Sequence, residues 1–489
     1  MTRSGNGHSS VSPPPSARGD SLKKLKVCHV VCTAEGGKWM MEQLRELRER
    51  YGHEVAAVVA GEKGRLVDTL RAEAIPFYVE NFKFGSLRQT LNVPRTIYRL
   101  ARLFRRERFD VVQTHLFFSM FVGRIAAWLA DVPVRLAMLP GPFQLEAHTS
   151  RWIDRATCWM ESSLIPSCEY TRQLYREIGV GTERLPLIYY GPDERRFDPE
   201  KTQPADTRAS FGWPADTPLI VKVAYFYPPL PKSSWVPASV HNRPVKGHEY
   251  LIRAAPTILA EYPDAKILLV GTGWFDENRQ MDEMKELVRS LGLEQSVIFT
   301  GYRADTNRIL READVAVQAS LNDNLAGTIE ALLMECPTVA TRVGGMLDSV
   351  RDGETGVLVN PADPDDMARG IIEMLRDRER AHAFGRAGRS LMLERFSLSR
   401  TVKDLAELYQ RLFYERERRR KSYNPLVSLW RLMAVVPVMA YLGFRYVFMD
   451  MLLSLYLPAY LARIRGALYR LKKLISPSGS NDRRSSARA

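Results

Sequence analysis

The sequence predicts an α/β protein of two doubly wound parallel sheets facing a cleft, followed by an apolar helical segment near the C-terminus. Three observations predict it. Short apolar runs alternate with helical stretches in two successive series, a pattern that argues for parallel sheets covered on both faces. The two series are similar in size and are separated by a stretch rich in Pro, Asp and Thr at 198–216. From 425 onward the composition changes: residues 426–444 hold one charge, Arg431, and residues 446–462 hold one, Asp450.

The first series starts with the apolar run 25–32 and the pair Gly36-Gly37. An amphipathic helix over Lys38–Tyr51 follows, then a strand at 55–60, a helix at 66–74 and a strand at 76–79. A basic helix at 93–106 carries Arg95, Arg99, Arg102, Arg105 and Arg106. A strand at 110–115 ends on His115, an apolar helix runs to about 130, and 134–138 is a further strand. The series closes near Tyr190-Gly191-Pro192-Asp193.

The second series begins with a strand at 219–224, then a Pro and Tyr-rich insertion at 225–244. Lys246-Gly247-His248 leads a helix to 262, and strands at 266–270, 297–300 and 314–318 follow, with a long helix ending at 291. The most telling stretch is Asn322-Asp323-Asn324-Leu325-Ala326-Gly327, which opens a helix carrying Glu330. Thr338–Thr341 is a strand and Gly344-Gly345 a turn. A helix N-terminus presents unpaired N–H groups and the positive end of a dipole, which suits a phosphate. A carboxylate one turn in accepts hydrogen bonds from two neighbouring hydroxyls, as on a ribose. Together they describe a pocket for a nucleotide diphosphate. Ligands of doubly wound sheets sit at the carboxyl ends of the strands, so the cleft between the units is the expected site.

The 489 residues allow about two to four domains. A net charge of +14 suggests anionic partners. Much of that charge borders the apolar segment: Arg416, Arg418, Arg419, Arg420 and Lys421 precede it, and Arg463, Arg465, Arg470, Lys472 and Lys473 follow it. Basic flanks on both sides favour a re-entrant hairpin or in-plane helices on the cytoplasmic face of an anionic membrane. An extra helical pair packed on the soluble domains is the competing reading. No basic groove interleaved with aromatics stands out, which argues against nucleic acid. Five cysteines without metal-ligand spacing read as reduced thiols. Residues 1–22 have no apolar core and read as a disordered leader, as does the tail at 476–489.

From about 25 to 415 the chain resembles the retaining glycosyltransferases of family 4, with GT-B architecture. The resemblance rests on an ordered series: Lys246-Gly247-His248-Glu249, Leu268-Leu269-Val270-Gly271-Thr272-Gly273, Val297-Ile298-Phe299-Thr300-Gly301, Ala313-Asp314-Val315, Glu330-Ala331, Gly344-Gly345 and Asp352-Gly353-Glu354-Thr355-Gly356. It implies two Rossmann-like domains, acceptor-side at 23–197 and donor-binding at 217–400, joined by the linker 198–216. A closing helix and basic linker at 401–424 and membrane-associated helices at 425–475 complete the expected order. It also implies that Glu330 binds ribose hydroxyls and that Lys246 neutralises the diphosphate. Gly36 and Gly37 then approach the donor, with Asn324, Leu325 and Ala326 beside it. His115 lies near the reacting sugar. No cofactor and no metal ion are implied.

The departures are specific. An amide, Asn322, stands where the family has a carboxylate, with Asp323 next to it. Tyr225 aligns with the family's phosphate-binding Arg, and Lys232 and Arg243 of the insertion are candidate replacements. The expected function is transfer of a sugar from a nucleotide donor, UDP-linked, to a lipid-linked or polysaccharide acceptor at the membrane. The alternative is a catalytically weak scaffold or binding subunit, motivated by Asn322 and Tyr225. Deleting 425–475 is expected to move the folded protein from the membrane pellet to the supernatant; retention in the pellet places the attachment elsewhere.

Overall fold

The computed structural model describes residues 23–82, 92–273, 278–325, 327–420 and 433. The expected leader and tail, Ala326 and the apolar segment, Met433 apart, lie outside the described residues.

The first sheet contains β1 (Lys26–Val31), β2 (Glu54–Val59), β3 (Phe77–Val79), β4 (Val111–His115), β5 (Val134–Leu139) and β6 (Ser163–Pro166). Its order is β3-β2-β1-β4-β5-β6, and every pairing is parallel. The second contains β7 (Leu219–Val223), β8 (Lys266–Val270), β9 (Val297–Gly301), β10 (Val315–Gln318), β11 (Thr338–Thr341) and β12 (Val357–Val359), in the order β12-β11-β10-β7-β8-β9. Counted from the first strand of each, both sheets have the same doubly wound topology. The strand order reverses between β1 and β4, and again between β7 and β10.

Alternation along each strand fills both faces. Val27, Val31, Val55, Ala57 and Val111 enter one buried layer, while Cys28, Val30, Ala56, Val58 and Val112 enter the other. In the second sheet Ile220, Ile267, Leu269, Val315 and Val317 face one way, and Leu219, Val221, Leu268, Val270 and Ala316 the other. The five cysteines are free, four of them buried.

Two segments make contacts far along the chain. The stretch 198–216 is docked on the second sheet: the Thr207 and Arg208 N–H groups donate to the Glu312 carboxylate at 2.8 and 3.0 Å, and the Arg208 guanidinium reaches Asp314 at 2.5 Å. The last helix, Leu398–Arg420, returns to the first domain, where Val402, Leu405, Tyr409 and Phe413 join the layer holding Val27 and Val55. The outgoing and returning chains touch at Gly191, where a Cβ would fall 2.2 Å from the carbonyl carbon of Ser397. The Gly191 N–H donates to Thr401 Oγ1 at 3.0 Å, and the Leu398 N–H to the Pro192 carbonyl at 3.0 Å.

The insertion after β7 reaches across the cleft. Its Trp235 packs on Phe117 and Phe118, with ring centroids 6.0 and 6.4 Å apart, and the Thr149 N–H donates to the Ser234 carbonyl at 2.9 Å. His241 Nε2 lies 3.1 and 3.0 Å from the Ser233 and Val236 carbonyls and so ties the turn together. Among the described residues no helix is long and apolar enough to cross a membrane.

Tyr409 joins the returning helix to the site wall, since its buried hydroxyl donates to Gln113 Oε1 at 2.6 Å and lies 3.2 Å from His29 Nε2. Tyr409→Phe leaves those atoms without it and is expected to lower stability by about 1–3 kcal/mol, read by urea unfolding; an unchanged midpoint removes the returning helix from this role.

Candidate active site

The two reversal points put four strand ends on opposite walls of the cleft. On the first wall, β1 leads through Gly36 and Gly37, with φ of 70° and 67°, into the Lys38–Tyr51 helix. Gly37 is the N-cap and gives no side-chain hydrogen bond; its carbonyl accepts from the Met40 N–H at 2.9 Å, and the Lys38 and Trp39 N–H groups have no side-chain cap. A Cβ there would lie 3.2 Å from Leu66 Cδ2.

A cavity of about 250 Å³ lies between the walls. Lys38, Trp39 and Glu42 line it from the first domain, and Asn324, Leu325, Ile329 and Glu330 from the second. Tyr190, Gly191, Pro192 and Phe197 close its floor at the crossover. Glu330 sits in the first turn of Thr328–Leu333, half-buried, with no hydrogen bond from the described residues. Burial pushes its carboxyl above the usual range, opposed by the charges of Arg196 and Lys38. Glu42 is likewise pushed up by burial, opposed first by Lys38, whose Nζ lies 3.3 Å away.

Behind Asn324 lies a polar corner. Lys246 Nζ contacts Asp323 Oδ2 at 2.5 Å. The same carboxylate accepts from Ser320 Oγ at 2.8 Å and from the Asn324 N–H at 3.0 Å. The Leu321 N–H donates to the Val245 carbonyl at 2.8 Å, which locks the two loops together.

Asn322 is buried, and its amide donates to Glu146 of the first domain, whose other oxygen accepts from the Tyr170 hydroxyl at 2.8 Å. The amide at this position therefore holds a carboxylate that comes from across the cleft. Pro140-Gly141-Pro142 makes that approach possible: Gly141, at φ 149°, lets the loop press on Asn324, whose Cβ would lie 3.1 Å from an added one.

His115 is fully buried. The Tyr190 hydroxyl donates to the Met138 carbonyl at 2.9 Å and so accepts from His115 Nδ1–H at 2.9 Å; Nε2 then accepts from the Gln113 amide, 3.3 Å away. Burial, with the charge of His29 adding to it, holds the imidazole neutral. The ring stands behind Trp39, with centroids 4.7 Å apart, and Trp39 rather than His115 meets the cavity.

The structure thus gathers Lys246, Asp323, Asn322 and Asn324 around one loop, with Leu325 and Glu330 following and Gly36-Gly37 on the facing wall. Lys232 and Arg243 are exposed and line no part of the cavity. Tyr225 hydrogen-bonds Arg65 of the first domain. Sequence reading passed over Lys38, Trp39, Glu42 and Tyr190; the first two follow Gly36-Gly37 directly, which was the available signal. Among the described residues no cluster of His, Cys, Asp or Glu is arranged to hold a metal ion.

The sequence profile described as Glycosyl transferases group 1 matches residues 235–377, and the one described as Glycosyl transferase 4-like domain matches 36–191. A D-inositol 3-phosphate glycosyltransferase of Corynebacterium aurimucosum is 26% identical over 331 residues, covering 64% of this chain and 74% of its own length. The GDP-mannose-dependent alpha-(1-6)-phosphatidylinositol monomannoside mannosyltransferase of Mycolicibacterium smegmatis is 28% identical over 249 residues, covering 49% and 59%. The chain therefore spans more than half, but not all, of these relatives. Among solved structures, Anabaena HepE in complex with UDP superimposes with a TM-score of 0.64 at 21% identity, covering 78% of this chain and 99% of HepE. Sucrose-phosphate synthase of Thermosynechococcus elongatus gives 0.61 at 19%, covering 80% and 100%. The two profiles match one domain each, the paired sheets have the GT-B arrangement, and the chain belongs to the group 1 glycosyltransferases, family 4.

Proposed function

We propose that this chain transfers a sugar from a nucleotide diphosphate donor, with UDP as the nucleotide, to a lipid-linked or polysaccharide acceptor at a membrane surface, with retention of anomeric configuration. The observation that carries the reading is the interdomain cavity, with the Glu330 carboxylate on one wall and the uncapped Lys38–Tyr51 helix start on the other.

Each group has a task set by its chemistry. Glu330 accepts the two ribose hydroxyls, and those hydrogen bonds favour its ionised form against the burial that disfavours it. The helix N–H groups and Lys246 face the diphosphate. As the bond from the sugar's anomeric carbon to the phosphate oxygen breaks, its electron pair goes to that oxygen, and positive charge there stabilises the developing anion. The acceptor hydroxyl adds on the same face and gives up its proton to the departing phosphate. Asp323 and Glu146 supply negative charge beside the oxocarbenium-like centre.

The UDP-bound state of HepE supports uridine as the base. The GDP-mannose dependence of the mycobacterial relative favours guanosine as a second reading. The basic helix Val93–Glu107 and the apolar segment beyond 425 support a membrane-borne acceptor.

Calorimetry with UDP, GDP and ADP is expected to show selective binding of UDP. Glu330→Ala is expected to weaken it about ten- to a hundredfold, the worth of hydrogen bonds to a charged acceptor. Equal affinity in the folded variant rejects the donor-site assignment. Selective binding of GDP shifts the base, and absence of binding by wild type favours the scaffold reading.

A further inference from the structure

Beneath the polar corner lies a group that the transfer reaction, as derived above, does not use. Lys222 is in the middle of the second sheet, on β7 opposite Leu269 of β8, and is fully buried. Its Nζ has no hydrogen-bond partner among the described residues. An unpaired ammonium is very costly to bury, so the site favours the neutral amine. Burial, with the neighbouring Lys246 adding to it, brings Lys222 down to about 7; Asp323 pulls the other way.

The groups around it are few. From the loop before the next helix comes Lys246, and from the loop after β10 comes Asp323, already paired with Lys246. From the helix His248–Glu261 comes His248, stacked on Phe226 with centroids 4.0 Å apart and bonded to the Ala224 backbone; burial and both lysines keep it neutral. From the insertion comes Tyr227, over whose ring Lys246 Nζ lies at 5.9 Å; burial and Asp323 keep its phenol protonated. The resting corner therefore holds one ion pair and one amine whose charged form is disfavoured by burial.

We propose that Lys222 is a reserve cation for Asp323, so that the donor's diphosphate binds together with a proton. The proposal rests on the donor-site reading, in which Lys246 turns to the phosphates. Asp323 then loses its counterion while further negative charge arrives beside it. Both changes favour a charged Lys222. The proton comes from solvent, adds to the Nζ lone pair, and no covalent bond in donor or protein changes. Asp323 thereby keeps a counterion at the moment its charge is needed.

The uptake has a defined pH window. At about pH 8 the resting amine is mostly neutral, and binding takes up about 0.9 proton; at about pH 6 it is already charged, and uptake falls below about 0.2. Calorimetric titration of UDP into the wild-type full-length chain, in Tris and in HEPES, measures this from the difference in apparent enthalpy. GDP and ADP are titrated in the same way. A terminal phosphate is fully ionised at about pH 8, so the nucleotide itself takes up nothing.

The expected result is an uptake near one proton at the higher pH that disappears at the lower. Lys222→Met is expected to bind nucleotide with no uptake. Wild-type binding with no dependence on buffer at about pH 8 overturns the proposal and leaves the donor-site reading standing. Full uptake in a folded Lys222→Met variant also overturns it. Absence of binding of all three nucleotides overturns the donor-site reading and the proposal together. The wild-type pH series decides even where a variant fails to fold.

Discussion

An ion pair between Lys246 and Asp323 determines where the loops after β7 and β10 meet, and the rest of the site is built on that meeting. The pair is only slightly exposed, with side chains 21% and 14% accessible. At that depth its attraction is poorly screened, and neither partner is easily left alone. The loop bearing Asp323 then presents Asn324 and Leu325 to the cavity and Asn322 to the first domain. A diphosphate is a natural competitor for Lys246, since it offers more negative charge than one carboxylate. The resting pair thus keeps the lysine ordered and the aspartate quiet until the donor arrives.

The cleft is spanned by more than one kind of contact. The insertion adds an aromatic contact, Trp235 on Phe117 and Phe118, and backbone bonding at Thr149. Asn322 adds a charge-assisted hydrogen bond to Glu146, and Arg65 reaches Tyr225. Asp348 of the second domain accepts from the Glu169 N–H at 2.7 Å and from the Tyr189 hydroxyl at 3.1 Å, one residue ahead of the cavity floor. These are polar or mixed contacts around a void, an arrangement suited to domains that separate and close again around a ligand.

Much of the fold was legible in the sequence, because buried parallel strands leave an unbroken apolar signature. The strand at 266–270 and the helix Lys38–Tyr51 were read to the residue. The short β6, with a Ser at one end and a Pro at the other, carries no such run and was passed over. The stretch 198–216 looks like free linker by composition, but its order comes from Glu312 and Asp314, more than a hundred residues later, which no local pattern reveals. At the site, residue types were legible and partners were not. Nothing local to Asn322 tells that it would face Glu146, and nothing in a strand-end histidine tells that both its nitrogens would be taken by Tyr190 and Gln113. Lys222 was hidden for the opposite reason: it lies inside an apolar strand, where a single charged letter is easily passed over.

The return of the last helix to the first sheet has a mechanical meaning. Leu398–Arg420, with which the continuous described chain ends, packs on the first domain, not on the second. Whatever holds the chain beyond residue 420 therefore holds the first domain directly. The second domain hangs from two adjacent backbone strands near Gly191 and Ser397, pressed too closely to admit a methyl group. Those strands are the covalent connections between the two domains, and they lie side by side.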